Sequence, residues 1–116
     1  MKERRVARQF GGILVDLAKL RDYCLSDTHP RGRHKARVFR SRLGLTAADA
    51  ESLRQALLIA ANDEANKLLS GEADEFGQRY ILDFVMTTVR GNATVRSTWI
   101  VLAGQDVLRL TSCYVL

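Results

Sequence analysis

The stretch that decides the fold is the C-terminal third of the chain, residues 79–116, RYILDFVMTTVRGNATVRSTWIVLAGQDVLRLTSCYVL. It is rich in β-branched and aromatic residues, and the short polar segments RGNA and AGQDV divide it into three apolar runs. This composition is typical of strands, and connections this short favour antiparallel neighbours. The segment therefore predicts a three-stranded antiparallel meander.

The residues before this stretch have helical spacing instead. A short apolar run, residues 13–15, predicts a short strand or turn, and the apolar residues at helical intervals after it predict a first helix. The loop SDTHPRG at 26–32 holds the single proline and is predicted to lie at the surface. The segment RHKARVFRSRL at 33–43 predicts a second helix with apolar side chains toward the core and basic ones toward solvent. Gly44 suits the C-terminal cap of this helix.

A third helix is predicted from Thr46, which with Asp49 resembles a capping box before a long apolar periodicity. We expect this helix to run to about Ser70, and the acidic segment GEADEFG at 71–77 to form a turn. Helices followed by strands predict an α+β fold, in which N-terminal helices pack on one face of a C-terminal antiparallel β-meander of three to four strands.

Length and composition exclude several classes of protein. The chain has 116 residues, 47% of them hydrophobic, which predicts a single domain over 1–116 with a basic arm at 1–10 that we expect to be mobile. Its longest apolar runs are too short to cross a bilayer, and its start does not resemble a secretory signal, so no membrane association is expected. Cys24 and Cys113 lack ligand-like spacing, which favours reduced thiols in a cytoplasmic protein with no metal or other cofactor.

The charge is divided unevenly along the chain. Residues 1–42 hold 12 Lys or Arg and 4 Asp or Glu, a balance of +8, whereas residues 43–78 hold 2 and 7, a balance of −5. Six of the basic residues fall within 31–42. This density suits phosphate oxygens or an acidic partner protein, although a solvated basic helix has the same composition.

The segment HPRGRHKARVF at 29–39 carries the first candidate site. Free backbone N–H groups at a helix start favour anions, so His34 and Lys35 can hold a phosphate there. The spacing of His29 and His34 across a turn does not suit a metal pair on one helix, which favours proton transfer or phosphate donation. The alternative for each histidine is a loop or cap residue without a function.

The second candidate site is the segment VRSTW at 95–99. A mixed polar set at mid-strand contains Arg96, Ser97, Thr98, Thr111 and Ser112, where a structural sheet more often carries valine or isoleucine. A nucleophilic serine needs a base and a sharp turn that are missing here, so Ser97 is interpreted as a hydrogen-bond donor to phosphate. Period-2 alternation sends Thr111 and Ser112 to opposite faces.

Cleavage of RNA without a metal needs a proton acceptor, a proton donor and cations around the phosphorane. The sequence offers all of these groups, and we therefore predict a metal-independent endoribonuclease of toxin type. The predicted catalytic residues are His34, Lys35, Arg96 and Ser97. The predicted substrate-binding residues are Arg31, Arg33, Arg37, Tyr80, Trp99, Thr111 and Ser112, with core packing as the alternative role of Trp99.

Several strings resemble a small bacterial family of single-domain proteins without an assigned activity: LRDYCLSDTHPRGRHKARVF, LGLTAADA, GQRYILDF, VRSTWIVL and LTSCYVL. More distantly, RHKA, the helix after it and STW are similar to the tRNase domain of colicin D, in the barnase–EndoU–colicin–RelE superfamily. This resemblance implies that His34 is catalytic, that Ser97 and Trp99 form the S-x-W pair, and that tRNA is the substrate. Lys35, between the histidine and Ala36, departs from the colicin pattern.

The resemblance also implies an acidic antitoxin or immunity protein that covers the basic site. Two other functions are compatible with the sequence. The first is a non-catalytic module that binds RNA or an acidic partner protein through the same basic loop. The second is a homodimer formed through an exposed edge of the last strand, LTSCYVL, which carries no charge.

Overall fold

A five-stranded sheet organises the chain in the computed structural model, which describes residues 10–63 and 66–116. The strand order is β1-β5-β4-β3-β2, with β1 parallel to β5 and every other pair antiparallel. The elements are β1 (Gly12–Leu14), α1 (Leu17–Lys19), α2 (Arg33–Leu43), α3 (Ala50–Asn62), β2 (Leu68–Asp74), β3 (Gly77–Thr88), β4 (Gly91–Leu102) and β5 (Val107–Val115). The predicted α+β class is confirmed; the predicted mobile arm, apart from Phe10, lies outside the described residues.

One face of the sheet is buried against the helices. Along β3, β4 and β5 the buried positions alternate with half-buried or exposed ones, as expected for a sheet covered on one side. The helices contribute apolar side chains at helical spacing to the same core. Its largest fully buried side chains include Trp99, Phe39, Leu20, Leu43, Leu53, Leu57, Leu82 and Leu108. The opposite face of the sheet is the open face, and it carries the polar residues of the strands.

The predicted third helix is too long, and of the predicted acidic turn at 71–77 only Glu75 and Phe76 form a turn. Helix α3 ends at Asn62, and Leu68–Asp74 forms strand β2 at the edge of the sheet. Strand β2 pairs with β3 through Leu68 opposite Leu82 and Ser70 opposite Tyr80. The segment itself, LLSGEAD, shows no strong alternation of apolar and polar residues. Its strand conformation therefore depends on the backbone hydrogen bonds with β3.

The predicted caps of the helices are confirmed. Gly44 ends α2 in the left-handed conformation, with φ of 71°. The Thr46 and Asp49 side chains form the capping box, here around a short 3₁₀ turn, Ala47–Asp49, that leads into α3. The Thr88 hydroxyl donates a hydrogen bond of 2.8 Å to the carbonyl of Leu43, which fixes the end of α2 to the β3–β4 hairpin.

Strand β5 is only partly an edge strand. Its first three residues pair with β1, from Gly12 opposite Val107 to Leu14 opposite Arg109. In the described part of the chain no strand neighbours β5 on that side beyond Arg109. The exposed edge predicted for LTSCYVL is therefore limited to the last part of β5, and the homodimer stays a prediction.

Gly77, at the start of β3, lies opposite Leu102 of β4 and tests the register between these two strands. Its φ is +151°, and a Cβ there would clash with the carbonyl oxygen of Val101. We expect Gly77→Ala to lower the free energy of unfolding by about 1–3 kcal/mol, measured by urea denaturation. Gly12→Ala is the control, because a Cβ at Gly12 meets no heavy atom within 4 Å. Equal effects of the two substitutions would contradict the register.

Candidate functional site

A β-bulge in β5 controls which side chains reach the open face. Thr98 of β4 lies opposite Ser112, but the next residue, Trp99, lies opposite Leu110, so Thr111 is the extra residue. Leu110 and Cys113 on either side of the bulge are both buried, whereas Thr111 and Ser112 are half-buried. The prediction that Thr111 and Ser112 face opposite ways is therefore wrong, because the extra residue resets the alternation.

Hydrogen bonds join the bulge to β4 and to two lysines of the helices. The hydroxyls of Thr98 and Thr111 lie 2.6 Å apart, and the Thr98 hydroxyl also donates to the carbonyl of Ser112. The Lys35 Nζ donates to the Ser112 Oγ at 3.4 Å, and the Lys19 Nζ donates to the Thr111 carbonyl at 3.3 Å. Two ammonium groups and three hydroxyls thus lie close together.

Two aromatic rings hold the Lys35 ammonium beside these hydroxyls. It lies 5.5 Å from the ring centroid of Tyr23 and 5.2 Å from that of Tyr114, both within range for a cation–π interaction. A cleft of about 510 Å³ opens next to it, lined by Asp16, Ala18, Lys19, Tyr23, Lys35, Thr111 and Ser112. We call this group of lining residues the Lys35 cleft.

Arg96 lies on the open face but is already paired. Its Nε and Nη2 donate to the two carboxylate oxygens of Asp83 at 2.9 and 2.8 Å. These hydrogen bonds lower the pKa of Asp83 and raise the pKa of Arg96. Tyr114 makes a smaller contribution to the raised pKa of Arg96. The predicted role of Arg96 as a phosphate clamp is thus in competition with a bidentate carboxylate.

Ser97 and Trp99 do not fit their predicted roles. Ser97 is 0% exposed and Trp99 is 1% exposed. The Ser97 hydroxyl donates to the carbonyl of Leu82 at 2.7 Å and accepts from the Trp99 Nε1 at 2.9 Å. This serine satisfies polar groups within the core and cannot donate to a phosphate, and the Trp99 ring cannot stack on a base.

Tyr80 lines a separate cavity of about 290 Å³, which shares Thr111 with the Lys35 cleft but does not include Lys35. It is half-buried and stands directly opposite Trp99 on the neighbouring strand. Its ring makes an edge-to-face contact with Phe10, with a centroid distance of 5.7 Å. The structure therefore does not bring Tyr80 together with His34 or Lys35.

The two histidines differ in their surroundings. His29 Nδ1 accepts hydrogen bonds from the backbone N–H groups of Arg31 and Gly32, and the His29 ring contacts Tyr23 at 4.7 Å. This places its ring proton on Nε2 and gives His29 the structural role of a loop cap. His34 is exposed, about 100° around the helix axis from Lys35, and makes no side-chain hydrogen bond among the described residues.

The start of α2 presents unpaired donors and cations. Its N-cap is Gly32, which has no capping side chain, and the backbone N–H groups of His34 and Lys35 have no acceptor in the described part of the chain. Such groups, together with the helix dipole, attract anions. The predicted substrate-binding residues Arg31, Arg33 and Arg37 are all exposed around this turn.

Six residues of the Lys35 cleft and its contacts were outside the predicted set: Asp16, Ala18, Lys19, Tyr23, Thr98 and Tyr114. Thr98 carried a signal, since it alternates with Arg96 in the polar part of β4. Lys19 and Tyr23 had none, because only the tertiary packing of α1 and the turn after it brings them to β5.

Within residues 10–63 and 66–116, no group of three or more His, Cys, Asp or Glu is arranged to hold a metal ion, and no helix is long and apolar enough to cross a membrane.

The ion pair between Asp83 and Arg96 gives a pH-dependent prediction. Because the folded protein lowers the pKa of Asp83, the pair stabilises the fold above the ordinary carboxyl pKa of about 4, and this stability is lost as the pH falls through the lowered pKa. We expect Asp83→Asn to reduce the free energy of unfolding at pH ~7 and to have less effect at pH ~3 in urea titrations. Glu72→Gln, on the exposed side of β2, is the control; an effect of Asp83→Asn that does not change with pH would contradict the pairing.

No curated protein matches the chain. One family model does, over residues 8–116, and it is described as a domain of unknown function. The match covers the helices, the sheet and every residue of the Lys35 cleft, and by it the chain belongs to the DUF6883 family.

Proposed function

We propose that this protein is a cytoplasmic, metal-independent endoribonuclease of toxin type that binds RNA phosphates at the Lys35 cleft and the adjoining start of α2. The observation that supports this most directly is the contact of Lys35 with Ser112 beside Thr111 and Lys19. Ammonium groups and hydroxyls at this spacing match the needs of phosphate oxygens, which accept several hydrogen bonds at once. The distant resemblance to the colicin D tRNase domain makes tRNA the first substrate to test.

The charge around the cleft supports a polyanionic ligand. Among the described residues, no carboxylate pairs with Lys19, Lys35, Arg31, Arg33 or Arg37. Unpaired cations bind a phosphate backbone by releasing its counterions. Around α2, Arg33 and Arg37 lie about 160–200° from Lys35, so they extend the basic surface and do not line the cleft. The same surface fits an acidic antitoxin or immunity protein, which we propose as the partner that covers it.

Cleavage requires proton transfer as well as charge. In the proposed reaction the RNA 2′-oxygen loses its proton and attacks the phosphorus, and the 5′-oxygen leaves with a proton, so a 2′,3′-cyclic phosphate remains. His34 is the candidate for proton transfer, because its ring is exposed beside the unpaired N–H groups at the start of α2. Lys35 and Ser112 stabilise the charge that develops on the phosphate.

A non-catalytic RNA-binding module is the second candidate function. Two of the four predicted catalytic residues favour it. Ser97 is buried and cannot reach a substrate, and the Arg96 guanidinium is already bound by the Asp83 carboxylate. Such a module needs the cations of the Lys35 cleft but no proton transfer. Exchange of His34 for a polar residue of similar size therefore separates the two functions.

The test is incubation of the protein with total tRNA in EDTA, with binding measured in parallel over a range of salt concentrations. We expect His34→Gln to retain binding and to slow cleavage by about 10²–10⁴-fold, the usual contribution of an acid–base group. Lys35→Gln should weaken binding. It should also reduce the slope of the logarithm of the binding constant against the logarithm of the salt concentration by about one, the equivalent of one phosphate contact. Arg42→Gln, the same change of charge near the other end of α2, is the matched control.

The outcomes distinguish the candidates. Cyclic phosphate ends that depend on His34 support the nuclease, whereas cleavage by His34→Gln at the wild-type rate contradicts the role of His34. Salt-sensitive binding without cleavage supports the binding module. No binding at low salt, or an equal loss in Lys35→Gln and Arg42→Gln, contradicts the proposal that the Lys35 cleft binds RNA.

A further inference from the structure

The three side chains that hold Lys35 are sequence neighbours of the two cysteines. Tyr23 precedes Cys24, and Cys113 lies between Ser112 and Tyr114. Cys24 closes a π-helical turn, Leu20–Cys24, in which the N–H of Leu25 bonds to the carbonyl of Leu20 at 2.8 Å. Each cysteine is thus one residue along the chain from a side chain that contacts Lys35.

The two cysteines meet in the core, although one lies near each end of the chain. Both are free thiols, both are 0% exposed, and both belong to the same hydrophobic cluster beneath β5. The turn that holds Cys24 packs against the strand that holds Cys113, and sequence neighbours of both cysteines contact the same Lys35 ammonium. Disulfide formation requires a displacement of the turn or the strand that brings the two sulfurs to the length of a sulfur–sulfur bond, about 2.05 Å.

We propose that Cys24 and Cys113 are a redox-modification site, in which a peroxide converts the two thiols into a reversible disulfide that changes the position of Lys35. Regulation of RNA binding through the position of Lys35 rests on the proposed function, whereas formation of the disulfide does not depend on it.

The reaction balances with hydrogen peroxide as the oxidant. The Cys24 sulfur attacks a peroxide oxygen, and the O–O bond breaks to give a sulfenic acid and water. The Cys113 thiol then attacks the Cys24 sulfur, its proton leaves with the hydroxyl as a second water, and the sulfur–sulfur bond forms. Two thiols are oxidised and one peroxide is reduced to two waters.

The surroundings assign different roles to the two sulfurs. The hydrogen bond from Cys113, with smaller contributions from Ser112 and Lys35, lowers the pKa of Cys24, while the contact with Cys24 and burial raise the pKa of Cys113. Cys24 lies at the end of a short π-helical turn, whereas Cys113 lies within the paired strand β5, so local opening exposes Cys24 first and makes it the attacking group. Because both sulfurs are fully buried, oxidation requires local opening of the turn at Leu20–Cys24 and is slower than for a surface thiol.

The consequence for Lys35 follows from the connectivity. The disulfide draws the turn at Leu20–Cys24 and the second half of β5 together at their sulfurs. Tyr23 and Ser112, each one residue from a cysteine, shift with them. Lys35 contacts both of these side chains, so the geometry of the Lys35 cleft differs between the reduced and oxidised forms.

The first measurement is peptide mapping. The reduced protein is treated with hydrogen peroxide, remaining thiols are blocked with N-ethylmaleimide, and a tryptic digest is analysed without reduction. We expect residues 22–31 linked to residues 110–116 in the monomer, with the link removed by dithiothreitol. Cys24→Ala and Cys113→Ala are the paired controls, and neither should give any linked peptide.

The second measurement reports on Lys35 without any RNA. The extent of acetylation of Lys35 by acetic anhydride is compared between the reduced and oxidised forms, with the exposed Lys67 as the internal reference. We expect a several-fold change at Lys35 and none at Lys67, and no change at Lys35 after the same treatment of Cys24→Ala.

Two results overturn the inference. Recovery of both cysteines as separate thiols or separate sulfinic acids, or a link found only between two chains, contradicts the disulfide. A linked peptide with unchanged Lys35 acetylation contradicts the effect on the cleft. Failure of RNA binding or cleavage leaves both readouts intact, so it contradicts the proposed function alone.

Discussion

The extra residue in β5 is the constraint on which the candidate site depends. Strand alternation normally buries every second side chain, and the bulge at Thr111 interrupts this rule once. Leu110 and Cys113 can therefore both face the core, while two polar side chains between them lie outside it. Lys35 of α2 meets the hydroxyl that the bulge brings outward. If the same residues paired with β4 without a bulge, regular alternation after Leu110 would turn Ser112 into the core and Cys113 out of it.

The sequence predicts those parts of the fold whose signals are local. The left-handed Gly44 and the capping box of Thr46 and Asp49 were predicted because a cap is determined by residues within one turn. The end of α3 at Asn62 and the strand β2 were not, because the segment LLSGEAD gains its hydrogen bonds from β3 and has little preference of its own. The parallel pairing of β1 with β5 joins opposite ends of the chain and leaves no local pattern.

The candidate site shows the same division. A high density of cations predicts the exposed basic start of α2, and the structure places Lys35 of that segment against β5. A strand serine gives the same sequence signal whether it faces solvent or satisfies a buried tryptophan, so the phase of β4 had to be known before Ser97 could be assigned to the core. Lys19 and Tyr114 became part of the site only through contacts between distant segments.

We propose that RNA phosphates bind where the start of α2 meets the bulge of β5. The most direct measurement is a two-dimensional amide NMR titration of the protein with a short 2′-O-methyl RNA, which cannot be cleaved by the proposed mechanism. We expect the largest shifts of the amide signals at His34, Lys35, Thr111 and Ser112, and we expect added salt to reverse them. Shifts concentrated on the exposed edge strand β2, or none at low salt, would contradict this proposal.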